Sequence, residues 1–111
     1  MRFPTSALLP FFAVYIAFQV MASQSDSQAG KAIYDAKCKT CHGANGEGVQ
    51  AVAKALKVEF RHLGSKEVQS KSDDDLIKAS IDGIGKMKPV KGIPEDRTQN
   101  LLAFLRSLAK K

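Results

Sequence analysis

Both cysteines of the chain stand three positions apart in Cys38-Lys39-Thr40-Cys41-His42, with a histidine directly behind them. Nothing else in the sequence restricts the fold as much, because paired thiols beside an imidazole serve only a few kinds of site. A thioredoxin-like redox pair accompanies a βαβ pattern, and no run in this chain alternates as a strand does. A structural zinc ion takes four ligands, usually as two close pairs. Here the candidates would be Cys38, Cys41, His42 and His62, and the adjacent Cys41 and His42 are poorly placed to share one tetrahedral ion. A disulfide between Cys38 and Cys41 would close too small a loop to stabilise much. The reading that uses all three residues is C-x-x-C-H, the attachment sequence of a c-type haem. On a helical turn the two thiols reach the two vinyl groups of one porphyrin, and His42 points at the iron. The expected cofactor is one haem c, covalent through two thioethers, with Cys38, Cys41 and His42 at the site.

Composition agrees once the first residues are set aside. Residues 1–22 have one basic residue, Arg2, then a mostly apolar run over 7–20 and the small-x-small ending Val20-Met21-Ala22. That is the layout of a secretory signal peptide cleaved after Ala22, with a domain over residues 23–111. The run is shorter than the about 20 apolar residues that span a bilayer, and Pro10 and Gln19 interrupt it. The expected location is therefore periplasmic, with no stable membrane anchor after cleavage. The remaining chain keeps three aromatics, Tyr34, Phe60 and Phe104, and one methionine, Met87. Small chains this poor in core residues usually need a staple, and a macrocycle at the centre would supply one. Without Arg2 the chain has 16 basic and 11 acidic residues. The basic residues are mostly scattered lysines with no interleaved aromatics, which argues against nucleic acid and for acidic protein partners or solubility alone.

The rest of the pattern is helical. Asp26 or Ser27 can cap a helix running into the cysteines, with Gly30, Ile33 and Tyr34 on one face. The glycine-rich Gly43-Ala44-Asn45-Gly46-Glu47-Gly48 is a turn, and residues 50–57 suit two helical turns. Residues 58–71 read as irregular. Ser72 followed by Asp73, Asp74 and Asp75 is a strong helix start, and that helix stops at Gly83. Three glycines and two prolines make 83–94 a loop. A last helix follows Pro94, with Leu101, Leu102, Phe104, Leu105 and Leu108 on one face. The expected fold class is all-α, a small orthogonal bundle of about three to five helices wrapped around the haem.

These features resemble the small single-haem class I cytochromes c across the whole of residues 23–111. The match lies in Gly30 and Tyr34 before the haem motif and in Leu101-Leu102-Ala103-Phe104-Leu105 near the end. The resemblance implies that Gly30 and Tyr34 pack against Leu101 and Phe104. It also implies that a methionine from a late loop is the second axial ligand. Met87 is the methionine available, 45 residues after His42, and glycines 83 and 85 are expected to let its loop approach the porphyrin edge. A thioether is a soft, neutral donor, so a His/Met pair favours Fe(II) and raises the potential. Two departures from the family pattern stand out. Lys88 separates Met87 from Pro89, and no proline follows His42 to offer its carbonyl to the imidazole, so another carbonyl is expected to orient the ring. With no tryptophan to reach a propionate, Arg61, Ser65 or Tyr34 are the candidates.

The function implied is electron transfer by a monomeric carrier, not an enzyme, that shuttles electrons between periplasmic or membrane redox partners. Lys37, Lys39, Lys86, Lys88 and Lys91 flank the ligand-bearing segments and are expected to steer the haem edge towards acidic docking surfaces. The alternative is a ligand-binding or peroxidase-like haem protein, with His62 as a second histidine ligand or an open sixth position. Neither a distal acid–base pair nor a second domain is visible to support it.

Overall fold

The computed structural model describes residues 26–110 together with Arg2. The expected leader lies, Arg2 apart, outside the described residues. Among the described residues there are six α-helical segments and no strand: α1 (Ser27–Lys37), α2 (Lys39–His42), α3 (Gln50–Leu56), α4 (Lys66–Gln69), α5 (Asp73–Asp82) and α6 (Thr98–Ser107). The segments α2 and α4 are single turns, so four helices of more than one turn carry the fold.

Helix ends follow local chemistry. Asp26 caps α1 by accepting the Gln28 N–H at 2.8 Å. Ser72 caps α5 through the Asp75 N–H at 3.1 Å, with three carboxylates in the first turn where the helix dipole favours them. Two expectations need correction. The stretch 58–71 is not wholly irregular, since Ser65 caps the single turn α4 by accepting the Val68 N–H. Four residues carry no periodicity, so nothing but the cap could have signalled it. The last helix also begins with a 3-10 turn, Glu95–Arg97, before α6 proper, a common way to tighten a helix entrance.

The core lies where α1 meets α6. A Cβ on Gly30 would overlap the carbonyl oxygen of Asn100 and stand 2.5 Å from its carbonyl carbon. Only glycine lets the two backbones come this close. One turn later the fully buried Tyr34 ring tilts against Phe104, with centroids 4.8 Å apart. Tyr34, Cys38, Leu101 and Phe104 form one apolar cluster, while Val68, Leu76 and Leu102 form a second. The pairing expected between the first and last helices is present, with Asn100 as the nearest neighbour of Gly30.

A polar clamp completes the second half. Arg106 donates to the carbonyls of Gln69 (2.7 Å) and Lys71 (2.8 Å) and to the Asp73 carboxylate (2.7 Å). Gln69 in turn donates its amide to the carbonyls of Leu63 and Leu105. Chain segments with few apolar residues are thereby fastened to α6 through hydrogen bonds, two of them from a charged group to backbone.

Candidate haem site

Cys38 breaks the helix between α1 and α2 with φ −119°, so the two thiols and His42 leave a short, separate turn. That turn is anchored behind by the glycine loop. Gly48 N–H donates to the His42 carbonyl at 2.6 Å and Val49 N–H to the Cys41 carbonyl at 2.9 Å. Tyr34 donates its hydroxyl to the Gly43 carbonyl at 2.5 Å. Burial raises the Tyr34 pKa to about 12, so it remains a donor at any physiological pH. Inside the loop, backbone N–H groups of Glu47 and Asn45 hold the Glu47 carboxyl below its ordinary range.

Each residue of the motif has a distinct environment. Cys38 is buried, and burial, reinforced by neighbouring Cys41, pushes its thiol up to about 11. Cys41 is partly buried, and the two form no disulfide. Burial lowers the His42 pKa, which favours the neutral imidazole, the form that ligates a metal. Its Nδ1 is buried with no hydrogen-bond partner, so no loop carbonyl orients the ring as expected. The Phe60 ring packs against it instead, edge-on at 5.4 Å.

Met87 is carried by a tight turn. Ile84 and Met87 exchange both backbone hydrogen bonds, at 3.1 and 2.9 Å, around Gly85 and Lys86. Gly85 has φ +56° and Lys86 a negative φ, the sign pattern of a type II′ turn. The two glycines of this loop have different surroundings. A Cβ on Gly83 would stand 2.8 Å from the Pro89 nitrogen, so Gly83 makes room for the loop's own backbone. Gly85 has no protein atom near it and supplies the positive φ of the turn.

Cys38, His42 and Met87 line one cavity of about 430 Å³, with Tyr34, Leu63 and Leu76 among the other wall residues. The volume is in the range of cofactor sites, about 300–1,000 Å³. It lies between the two core clusters, taking Tyr34 and Cys38 from one and Val68 and Leu76 from the other. Cys41 and His62 are not on this wall, and His62 Nδ1 accepts the Gly64 N–H at 2.9 Å. Of the three propionate candidates, Arg61 and Tyr34 reach the wall, but the Tyr34 hydroxyl is engaged by the Gly43 carbonyl and Ser65 is spent on capping α4. A largely apolar cavity with imidazole, thioether and thiol on its wall fits a haem.

A family model described as Cytochrome c matches residues 27–109. The chain belongs to the cytochrome c family. A search among curated proteins finds no match to it. As a cytochrome c it is a haem-binding electron-transfer protein, all-α, with haem c attached covalently at the Cys38 and Cys41 motif. Two features of this cytochrome c site escape sequence reasoning. Phe60 is a lone aromatic in a polar stretch, and its isolation was the only signal. The Arg106 clamp joins residues more than thirty positions apart, which no local pattern reveals.

Proposed function

We propose that this cytochrome c is an exported single-haem electron carrier with His42 and Met87 as axial ligands and Cys38 and Cys41 as thioether anchors. The observation that carries the reading is that His42 and Met87, from distant segments, line the same cavity as Cys38. When bound, the haem supplies one iron that exchanges between Fe(II) and Fe(III). Neutral His42 and the thioether of Met87 are both uncharged donors, so the ligand set suits either oxidation state. The turn behind His42 and the turn bearing Met87 fix both side chains, which keeps reorganisation small. Leu63 and Leu76 on the wall exclude water. No substrate is bound and no bond is made, so the protein acts as a carrier and not as an enzyme.

His62 is the weaker ligand candidate because it is off the cavity wall and its Nδ1 is engaged. Export rests on the signal-peptide layout of residues 1–22, and the domain then starts at Ser23 in the periplasm. Exposed Lys37, Lys39, Lys88 and Lys91 beside the ligand segments suit acidic redox partners. The deciding experiment is the optical spectrum of the oxidised protein, made with haem-attachment machinery. A weak long-wavelength sulfur–iron band that disappears in Met87→Ala is expected. A red protein without that band in the parent would refute Met87 as ligand.

A further inference from the structure

The segment 83–94 carries Met87, yet it is thinly fastened. Among the described residues, one hydrogen bond leads from it to a distant part of the chain: Lys86 Nζ donates to the Leu56 carbonyl at 2.9 Å. The acceptor is well suited. Leu56 is the last residue of α3, and the final carbonyls of a helix have no partner within it. Lys57 turns the chain away with φ 55°, and its N–H goes back to the Ala53 and Lys54 carbonyls. The Leu56 carbonyl is left facing outward at the negative end of the helix, where a cation is favoured.

The donor is equally well placed. Lys86 sits inside the two-residue turn closed by Ile84 and Met87, directly before Met87. Close packing of Gly83 on the Met87–Pro89 backbone stiffens the base of this turn. Holding Lys86 therefore holds the turn as a unit.

We propose that Lys86 is a positioning residue: its bond to the Leu56 carbonyl latches the turn that carries Met87 to the end of α3. The inference deepens the His42/Met87 reading and rests on it for its effect on the iron. It also separates Lys86 from Lys37, Lys39, Lys88 and Lys91. The ammonium of Lys86 is engaged within the protein, so its loss acts on ligand retention and not on partner docking.

The test uses the haem-loaded protein and three variants: Lys86→Ala, Lys86→Arg and, as a charge control, Lys88→Ala. Two quantities are read: hydrogen exchange at the Ile84 and Met87 amides, and the imidazole concentration that displaces the sulfur–iron band. Lys86→Ala should speed both exchange rates and lower that concentration by roughly two- to fivefold, the loss of one exposed charged hydrogen bond. Lys86→Arg should restore both readings, and Lys88→Ala should leave both unchanged. Unaltered exchange in Lys86→Ala, or an equal effect from Lys88→Ala, would overturn the latch. A parent without the band refutes Met87 ligation, while the exchange rates still decide whether the latch exists.

Discussion

Gly30→Ala tests the helix crossing on which the rest of the fold is built. The added Cβ would overlap the Asn100 carbonyl oxygen. It would also stand 0.9 Å inside the 3.4 Å at which ordinary contact with the carbonyl carbon begins. The obstacle is backbone of α6, which cannot rotate aside as a side chain would. Phe104 Cβ, at 3.0 Å, blocks the neighbouring direction. Relief requires α1 and α6 to separate by more than an ångström, because the carbonyl oxygen is the nearer obstacle. That would loosen the Tyr34–Phe104 contact and the 2.9 Å bond from the Asp26 N–H to the Asn100 side chain.

Overpacking of this kind costs about 3 kcal/mol or somewhat more when the neighbour cannot yield. Alanine regains about 1 kcal/mol of helix propensity over glycine, leaving a net loss of roughly 2–3 kcal/mol. In a domain of this size that lowers Tm by roughly 10–20 °C. The assay is thermal unfolding of the haem-loaded protein followed by circular dichroism, with Ala32→Gly as control. Ala32 is an exposed residue of the same helix, and its replacement by glycine should cost about 1 kcal/mol through propensity alone. Both substitutions should therefore destabilise, although propensity by itself gives them opposite signs. A Gly30→Ala protein as stable as the parent would refute the close crossing.

Two further outcomes follow from the geometry. Arg106→Ala should cost about 2 kcal/mol in urea unfolding, because two backbone carbonyls lose a charged donor. Asp73→Asn, which breaks only the exposed ion pair, should cost well under about 1 kcal/mol, and equal losses would sink the account of the clamp. Replacing Lys37, Lys39, Lys88 and Lys91 by glutamate should slow electron transfer to an acidic partner and reverse its dependence on ionic strength. A rate indifferent to salt in both proteins would remove these lysines from docking.

Much of the fold was legible because its signals are local. Ser72 with three following aspartates marks the start of α5 and Gly83 its end, and the structure places both there. The pairing of Gly30 and Tyr34 with the last helix came from the resemblance to small class I cytochromes c, not from the local pattern. The motif at 38–42 brought the cofactor with it. What stayed hidden acts at long range or through polar groups. Nothing near Arg106 announces that its guanidinium will satisfy carbonyls at Gln69 and Lys71. Lys86 looked like its lysine neighbours, since the acceptor at Leu56 is supplied by folding alone. His42 shows the limit most clearly, because an absent proline told which partner it lacks but not that Phe60 would pack there.

The shape of the core explains why cofactor and fold are inseparable in this chain. Its buried apolar residues fall mostly into two clusters, bridged by the partly buried Leu63. Helix α6 serves both, giving Leu101 and Phe104 to the first and Leu102 to the second, while the cavity occupies the space between them. Buried apolar residues are few among the described ones: eight, with a single fully buried large side chain, Tyr34. So small a core does not by itself offset the conformational entropy of ordering a domain of this length. The polar clamp of Arg106 and Gln69 adds hydrogen bonds but little apolar burial. A flat macrocycle between the clusters would add apolar contact on the sides of Leu63, Leu76 and Tyr34 that line the cavity. In the proposed ligation the same insertion would meet His42 and Met87 on the cavity wall, so the contact that completes the core would also assemble the redox centre.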